Sequence, residues 1–318
     1  MSGAAIPVGA SARVEPATRA IETPGGSSVN RGGDFSTPSS RTDSSLPANS
    51  SRAGRLTLAR FRQGLGQRDQ SVLDLVAEHR LASAAQIRTL HFPADAFATR
   101  ETAARSCRRV LARLVRDGLL VRLERRVGGL RAGSDGHVYA LGPVGYRLTH
   151  PEGRARPRYW EPTSPFVDHQ LAITQLVVEL RLAERRCDVN SLAIEGEPRS
   201  WRRLPGQSGR AAALRPDLHT SIEVGDVELR WFVEVDRGTA HVPAVLRKCR
   251  LYESYYRSGV EQAEHGVFPR VLWITPTQAR AERLSQAITT NRRLTAELFA
   301  VTTAEHPLDA LLGSGGSS

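Results

Sequence analysis

The chain has 318 residues, a formal net charge of +11 and a pI near 10.6, so polyanions are its favoured class of partner. Its three cysteines are scattered and form no CxxC pair, which argues against a disulfide framework or a zinc knuckle and favours a reducing compartment. Without a signal peptide or a long apolar run, we expect a cytoplasmic protein that does not contact a membrane.

Composition divides the chain into tails and folded regions. The first residues are rich in Ser, Gly, Ala, Pro and Thr and lack hydrophobic periodicity, so we predict a disordered tail over 1–65. Two domains are expected at 66–150 and 166–305, joined by a Pro- and Arg-rich linker at 151–165. Residues 306–318 are predicted to form a second tail.

The first predicted domain contains three helices and a β-hairpin. The helices are expected at about 70–79, Ala84–Leu90 and Arg100–Arg116, and the strands at Leu119–Leu123 and His137–Leu141. Ser83 is a suitable N-cap for the second helix, and Gly118 a suitable terminator for the third. This order predicts a winged helix-turn-helix whose third helix enters the major groove of DNA.

Arginines concentrate on the third helix and the turn that follows it. All but one of the 44 basic residues are arginine, which suggests GC-rich coding that raises the arginine content everywhere. The clustering of the arginines is therefore more informative than their total. Residues 100–131 hold ten arginines and three acids, and several of the arginines recur at helical spacing. We predict DNA contacts by Arg100, Arg105, Arg108, Arg109, Arg113, Arg116, Arg125 and Arg126. The alternative is a solvated helix face whose arginine stems cover the edge of the core.

The second predicted domain has the element order αβββαβαβ. Its clearest feature is a hairpin of two strands, Leu214–Val224 and Val227–Asp236, joined by the two-residue turn Gly225-Asp226. In that register Asp217 lies opposite Glu234, and directly paired Cβ atoms are within about 5.5 Å of each other. Asp236 follows two residues after Glu234 and therefore shares its face.

Carboxylates placed this close repel one another, and a protein tolerates them when they hold a cation. Since all the ligands are oxygens, Asp217, Glu234 and Asp236 are predicted to bind Mg²⁺ or Mn²⁺. The alternative is a network of ion pairs with the flanking Arg215 and Arg237.

Lys248 is the only lysine in the chain. A lysine can lose a proton or position a water molecule in ways that a guanidinium cannot, so we predict a catalytic role for Lys248 beside Asp217 and Glu234. Retention of this lysine by chance is the alternative. His169, in the first helix of the second domain, is a further candidate, although a histidine at such a position is more often part of the core.

The motifs resemble a known nuclease superfamily. Pro216-Asp217 followed by Glu234-Val235-Asp236, in an αβββαβ order, resembles the restriction-endonuclease-like PD-(D/E)XK nucleases. The resemblance implies that the Asp and the Glu hold Mg²⁺ while a lysine assists the attacking water. Here Asp236 stands at the usual lysine position, and Lys248 is interpreted as a migrated replacement.

More narrowly, residues 70–305 resemble the replication-relaxation family of plasmids and integrative elements in actinobacteria and other Gram-positive bacteria. The matching residues are Arg215-Pro216-Asp217, the segment Phe232 to Thr239, Lys248 and Tyr252, and His169 fits the same pattern. The resemblance implies a winged helix joined to the nuclease-like domain, and a role in plasmid replication or transfer.

Three functions compete. The first is a DNA-binding protein of a mobile element, with a nuclease-like domain that serves as a scaffold. The second is a Mg²⁺-dependent DNA endonuclease, and the third is a winged-helix transcriptional regulator. All three take double-stranded DNA as a partner, and the first adds plasmid replication or transfer proteins.

Overall fold

The computed structural model describes residues 58–59, 61–123, 136–150, 162–204 and 212–313, and the structural statements below concern these residues. Their helices and strands form two packed groups. We call residues 67–149 the helix–hairpin unit and residues 164–311 the sheet unit.

The helix–hairpin unit begins with three helices separated by short connections. Its elements are α1 (Gln67–His79), β1 (Ala82–Ser83), α2 (Ala84–His91), a 3₁₀ turn (Ala94–Ala96), α3 (Arg100–Arg116), β2 (Leu120–Leu123), β3 (Val138–Leu141) and α4 (Pro143–Thr149). The three strands form one antiparallel sheet in the order β1-β3-β2. One apolar cluster, which includes Val76, Ile87, Leu111 and Leu120, joins the helices to this sheet.

Local capping explains why these helices begin and end where the sequence predicts. The Ser83 hydroxyl accepts from the Gln86 backbone N–H at 3.2 Å, and the Gln86 side chain accepts from the Ser83 N–H at 2.9 Å. Thr99 caps α3 in the same way as Ser83 caps α2. Gly118 follows α3 with a φ of +69°, a left-handed conformation that glycine adopts without strain.

The sheet unit is a three-layer α/β/α arrangement. Its elements are α5 (Ser164–Arg185), β4 (Ser191–Gly196), β5 (Arg202–Leu204), β6 (Ala212–Leu214), β7 (Leu218–Val224), β8 (Val227–Val235), α6 (Val242–Ser258), α7 (Val260–His265), β9 (Arg270–Thr275), α8 (Gln278–Thr289), a 3₁₀ turn (Ala296–Leu298), β10 (Phe299–Thr303) and α9 (Pro307–Leu311). Five strands form the central sheet in the order β10-β9-β8-β7-β4, antiparallel from β4 to β8 and parallel from β8 to β10.

Each face of this sheet is covered by helices. On one face, α5 and α9 pack against Trp231, Val233 and other apolar residues of the strands. On the opposite face, α6 and α8 pack against a second cluster that contains Phe232. The mixture of α and β structure confirms the predicted α+β class, but the structure describes five strands between α5 and α6 where three were predicted. Among the described residues, no helix is long and apolar enough to span a membrane.

The central hairpin has the predicted register but not the predicted length. Val224 pairs with Val227 and Leu218 with Val233, and the ladder stops one pair before Asp217 and Glu234. The continuous strand predicted at Leu214–Val224 is therefore wrong, because Pro216 has no N–H to donate to a ladder and separates β6 from β7.

The predicted tails are too long. Residues 61–64 are helical, and Phe61 and Leu65 pack against the core of the helix–hairpin unit. At the other end, Leu311 of α9 is completely buried, and its carbonyl accepts from the Trp231 indole at 3.1 Å. The predicted wing turn, most of the predicted linker and the remaining tail residues lie outside the described part of the chain.

Helix α5 connects the two units through specific hydrogen bonds. The Thr174 hydroxyl donates to the Leu81 carbonyl at 2.8 Å, and the Gln86 amide donates to the Leu171 carbonyl at the same distance. Near the other end of α5, Arg185 donates to the Leu90 carbonyl at 2.5 Å. The backbone around α2 is therefore fixed to the helix that also covers the sheet.

Replacing Gly145 with Ala is expected to destabilise the protein by about 1–3 kcal/mol, because an added Cβ would overpack a tight contact. That atom would lie 2.0 Å from the Leu119 carbonyl oxygen, whereas a Cβ at Gly64 would meet nothing within 4 Å. Urea denaturation of G145A, with G64A as the matched control, measures the difference. Equal stabilities of the two variants would contradict the conclusion that Gly145 of α4 packs tightly against the Leu119 carbonyl.

Candidate active site

Four elements bring the predicted catalytic residues to one end of the sheet. His169 comes from the first half of α5, Asp217 precedes β7, Glu234 lies near the end of β8, and Lys248 lies on α6. The structure therefore assembles the three predicted catalytic residues together with the further candidate, His169. Tyr252, one helical turn after Lys248, joins them.

Glu234 is the buried centre of this cluster, with only 2% of its surface exposed. Lys248 donates to its Oε2, and the Tyr252 hydroxyl donates to its Oε1 at 2.5 Å. Burial raises the pKa of Glu234, Asp217 raises it further, and the two donors lower it, so that the pKa remains above its ordinary value. Burial and the adjacent Glu234 also raise the pKa of Tyr252, which stays a neutral donor.

The ammonium group of Lys248 faces two opposing effects. Burial lowers its pKa, but the carboxylates of Glu234 and Asp217 raise it more, and the net direction is upward. Lys248 is therefore a stable cation at neutral pH. In this arrangement it can orient a polar group or neutralise negative charge, but it is not set up to act as a base.

Asp217 is held by groups from two other elements. Its Oδ2 accepts from the Val235 backbone N–H at 2.7 Å, and its Oδ1 accepts from His169 Nε2 at 3.2 Å. The hydrogen bond to Asp217 raises the pKa of His169, whereas burial lowers it, and the net shift is upward. The pair thus links a carboxylate to an imidazole that is more easily protonated than usual.

Asp236, the third predicted metal ligand, lies in a different set of contacts. Its Oδ2 accepts from Arg280 Nε at 2.7 Å, and its Oδ1 accepts from the Gly238 N–H at 3.0 Å. Both side chains of the Asp236–Arg280 pair are buried. Metal binding by Asp236 stays a prediction, and it would require the contact with Arg280 to open.

The cations that neutralise the acids are not the ones that flank them in sequence. Arg215 lies over the ring of Trp201, with its guanidinium carbon 4.5 Å from the ring centroid, and Arg237 is exposed. The ion-pair alternative predicted that Arg215 and Arg237 would contact the acids. In the structure Lys248 contacts Glu234, and Arg280 contacts Asp236. Nothing in the local sequence indicates Arg280, which is 44 residues from Asp236.

A cavity of about 140 Å³ adjoins His169 and Asp217. It is formed jointly by residues 78–80 at the end of α1, by α5, and by Gly196 and Glu197 at the end of β4. An ion pair of 3.2 Å joins Arg80 to Glu197, so both units contribute to its wall. A small group bound here would lie beside the Asp217–His169 pair.

Binding of Mg²⁺ or Mn²⁺ by Asp217 and Glu234 stays a prediction, because all four of their carboxylate oxygens accept hydrogen bonds from protein groups. An open Mg²⁺ site, in which one or two carboxylates and substrate phosphates share the ion with water, would require some of these contacts to open. Across the described residues, no group of three or more His, Cys, Asp or Glu side chains is placed to hold a metal on its own. A phosphate from the substrate would therefore have to complete any such site.

The predicted DNA-contacting arginines lie mainly on α3. Five of those described are exposed: Arg100, Arg105, Arg108, Arg109 and Arg116. Arg113 is instead half-buried and forms an ion pair of 2.6 Å with Asp69 of α1. Arg125 and Arg126 lie outside the described residues.

The fold and the site together describe a mixed α+β protein with a buried carboxylate–lysine cluster at one end of its sheet. The model of the replication-relaxation family matches residues 73–271, more than half of the chain, and the chain belongs to that family. Membership suggests a role in the replication or relaxation of plasmids or other mobile elements. No curated protein and no solved structure gives a significant match.

Replacing Asp217 with Asn is expected to lower the pKa of His169, because the variant loses the negative charge that favours the imidazolium. A raised histidine pKa stabilises the fold below the ordinary value of about 6.5, and this stabilisation is lost as the pH rises through the folded-state pKa. D217N should therefore lose more stability at acidic than at alkaline pH.

Proton NMR titration of the imidazole measures this change, with H169Q to assign the signal and D226N as the matched control. Asp226 is exposed in the turn of the same hairpin. An unchanged His169 titration in D217N would contradict the proposed coupling.

Proposed function

We propose that the protein binds duplex DNA through α3 in the manner of a winged helix and acts in the replication or transfer of a mobile element. The observation that carries this proposal is the row of exposed arginines on α3. Helix order and the β1-β3-β2 sheet support it, since a winged helix places a third helix and a hairpin against DNA in this way. Membership of the replication-relaxation family supports the biological setting.

The contacts that hold α3 in place support its role as the helix that contacts DNA. The Arg113–Asp69 ion pair fixes α3 to α1, while the buried Cys107, Leu111 and Leu114 fix its inner face. The remaining arginines stay exposed to solvent, where guanidinium groups are available to DNA phosphates. Such contacts supply affinity that depends strongly on salt and carry no sequence information by themselves.

Replacing Arg105 and Arg109 together with Ala is expected to weaken duplex binding and to reduce the salt dependence by about two phosphate contacts. Fluorescence anisotropy with a labelled duplex over a salt series measures both quantities. The matched control is R292A/R293A, which removes the same charge from exposed positions outside α3. Equal affinities of the two double variants would exclude α3 as the DNA-contacting helix.

A second candidate function is metal-dependent DNA hydrolysis, and the convergence of Asp217, Glu234 and Lys248 favours it. Asp217 and Glu234 would hold Mg²⁺ or Mn²⁺, and Lys248 would orient the attacking water beside the phosphate. A bound divalent ion would supply stabilisation of the charge that develops on that phosphate. Tyr252 and His169 would position the two carboxylates through the hydrogen bonds already described.

The variant D217N/E234Q is expected to abolish metal-dependent nicking of a supercoiled plasmid, because it removes both charged ligands but keeps their shape. Agarose gels with Mg²⁺, Mn²⁺ or EDTA measure nicking, and thermal melting confirms that the variant is folded. E223Q/D226N, altered at exposed hairpin positions, is the control. Nicking that survives in D217N/E234Q, or that is absent from the unaltered protein with either metal, would exclude this function and leave DNA binding intact.

A further inference from the structure

Strands β5 and β6 form a separate two-stranded ribbon whose outer face is aromatic and basic. Arg202 pairs with Leu214 and Arg203 with Ala213, and extending this register by one residue places Trp201 opposite Arg215. Since side chains alternate along a strand, one face of the ribbon carries Trp201, Arg203, Ala213 and Arg215. We call these four residues the ribbon face.

The ribbon face is exposed, while the opposite face is anchored. Trp201 retains 36% of its surface, and the other three residues are also exposed. On the opposite face, Leu204 and Leu214 are buried in the core beneath α6. Arg202, on the same side, donates to Glu261 at 3.0 Å. The ribbon therefore presents its tryptophan from a fixed position.

We propose that the ribbon face binds a single DNA strand, with an unpaired base stacked on Trp201 and phosphates held by Arg203 and Arg215. The four positions of the ribbon face include two cations and no acid, which favours a polyanion over a protein partner. A duplex keeps its base faces stacked internally, whereas an unpaired base can stack on an exposed aromatic ring. Arg215 already lies over one face of that ring and holds it in place, so a base would stack on the other face.

The position of the ribbon face connects this strand to the candidate active site. Asp217 follows Arg215 by two residues, a separation of at most about 7 Å along an extended chain. The Ser200 hydroxyl donates to the Pro216 carbonyl at 2.8 Å and closes the base of the ribbon next to Asp217. This inference rests on the proposed function, because it assumes that the polyanion is DNA. It adds that the bound DNA has an unpaired stretch next to the candidate active site.

Fluorescence anisotropy in EDTA, so that no cleavage can occur, tests the proposal with two probes, a labelled oligothymidylate and a labelled duplex. W201A is expected to bind the oligothymidylate about tenfold more weakly and the duplex unchanged, while W201F retains most of the affinity. R215A should reduce the salt dependence of oligothymidylate binding by about one phosphate contact.

Two variants on other surfaces serve as controls: V260A removes an exposed apolar side chain, and R292A removes an exposed arginine. Equal oligothymidylate affinities of W201A and V260A would overturn the proposal and leave the ribbon face available for a protein partner. An equal loss for both probes in W201A would also overturn it, because stacking requires an unpaired base. Duplex binding by R105A/R109A tests the α3 proposal separately, so a failure of that proposal can be distinguished from a failure of this one.

Discussion

The buried carboxylate of Glu234 is the constraint on which the site depends. Removing a charge of this kind from water costs several kcal/mol, and the fold offsets part of this cost by supplying a cation and a hydroxyl donor. Lys248 and Tyr252 come from one face of α6, so the same contacts that satisfy Glu234 fix that helix against β8. Apolar residues of similar size would pack there at lower cost, and a buried charge retained in this way is typical of a functional site.

Asp217 has its position for a related reason. Pro216 ends the ribbon and separates it from β7, so the Asp217 side chain is free to accept from the Val235 N–H instead of following the strand alternation. This interruption places the carboxylate between His169 and Glu234. Because the ladder of the hairpin ends before Asp217 and Glu234, the two carboxylates can accept hydrogen bonds from α5, β8 and α6.

Helix α5 relates the DNA-binding proposal to the site. Its early residues carry His169, its middle packs on the sheet, and its hydrogen bonds with Leu81 and Gln86 hold the helix–hairpin unit. The cavity beside Asp217 has walls from both units for the same reason. Duplex held by α3 and a strand on the ribbon face would consequently be fixed relative to the same site.

The sequence by itself determined the features that depend on neighbouring residues. Ser83 and Gly118 set helix ends through local hydrogen bonding and backbone conformation, and the Gly225-Asp226 turn fixed a hairpin register that reaches Leu218 and Val233. Carboxylates near the strand ends, and a lone lysine soon after them, were sufficient to identify most members of the site. The short strand β5 gave no periodic signal, so the ribbon face could not be predicted.

Only the tertiary structure decided which charges meet. Asp236 is taken by Arg280 from a distant helix, and Arg215 stacks on Trp201 although it is two residues from Asp217 in sequence. The Asp236–Arg280 contact depends on how α8 packs across the sheet, whereas the Arg215–Trp201 contact depends on the pairing of β5 with β6. Apolar packing and backbone pairing set these two arrangements, and neither carries information about charge. Sequence spacing was therefore sufficient to identify the acids of the site. The packing of α6 and α8 determined which cation contacts Glu234 and which contacts Asp236.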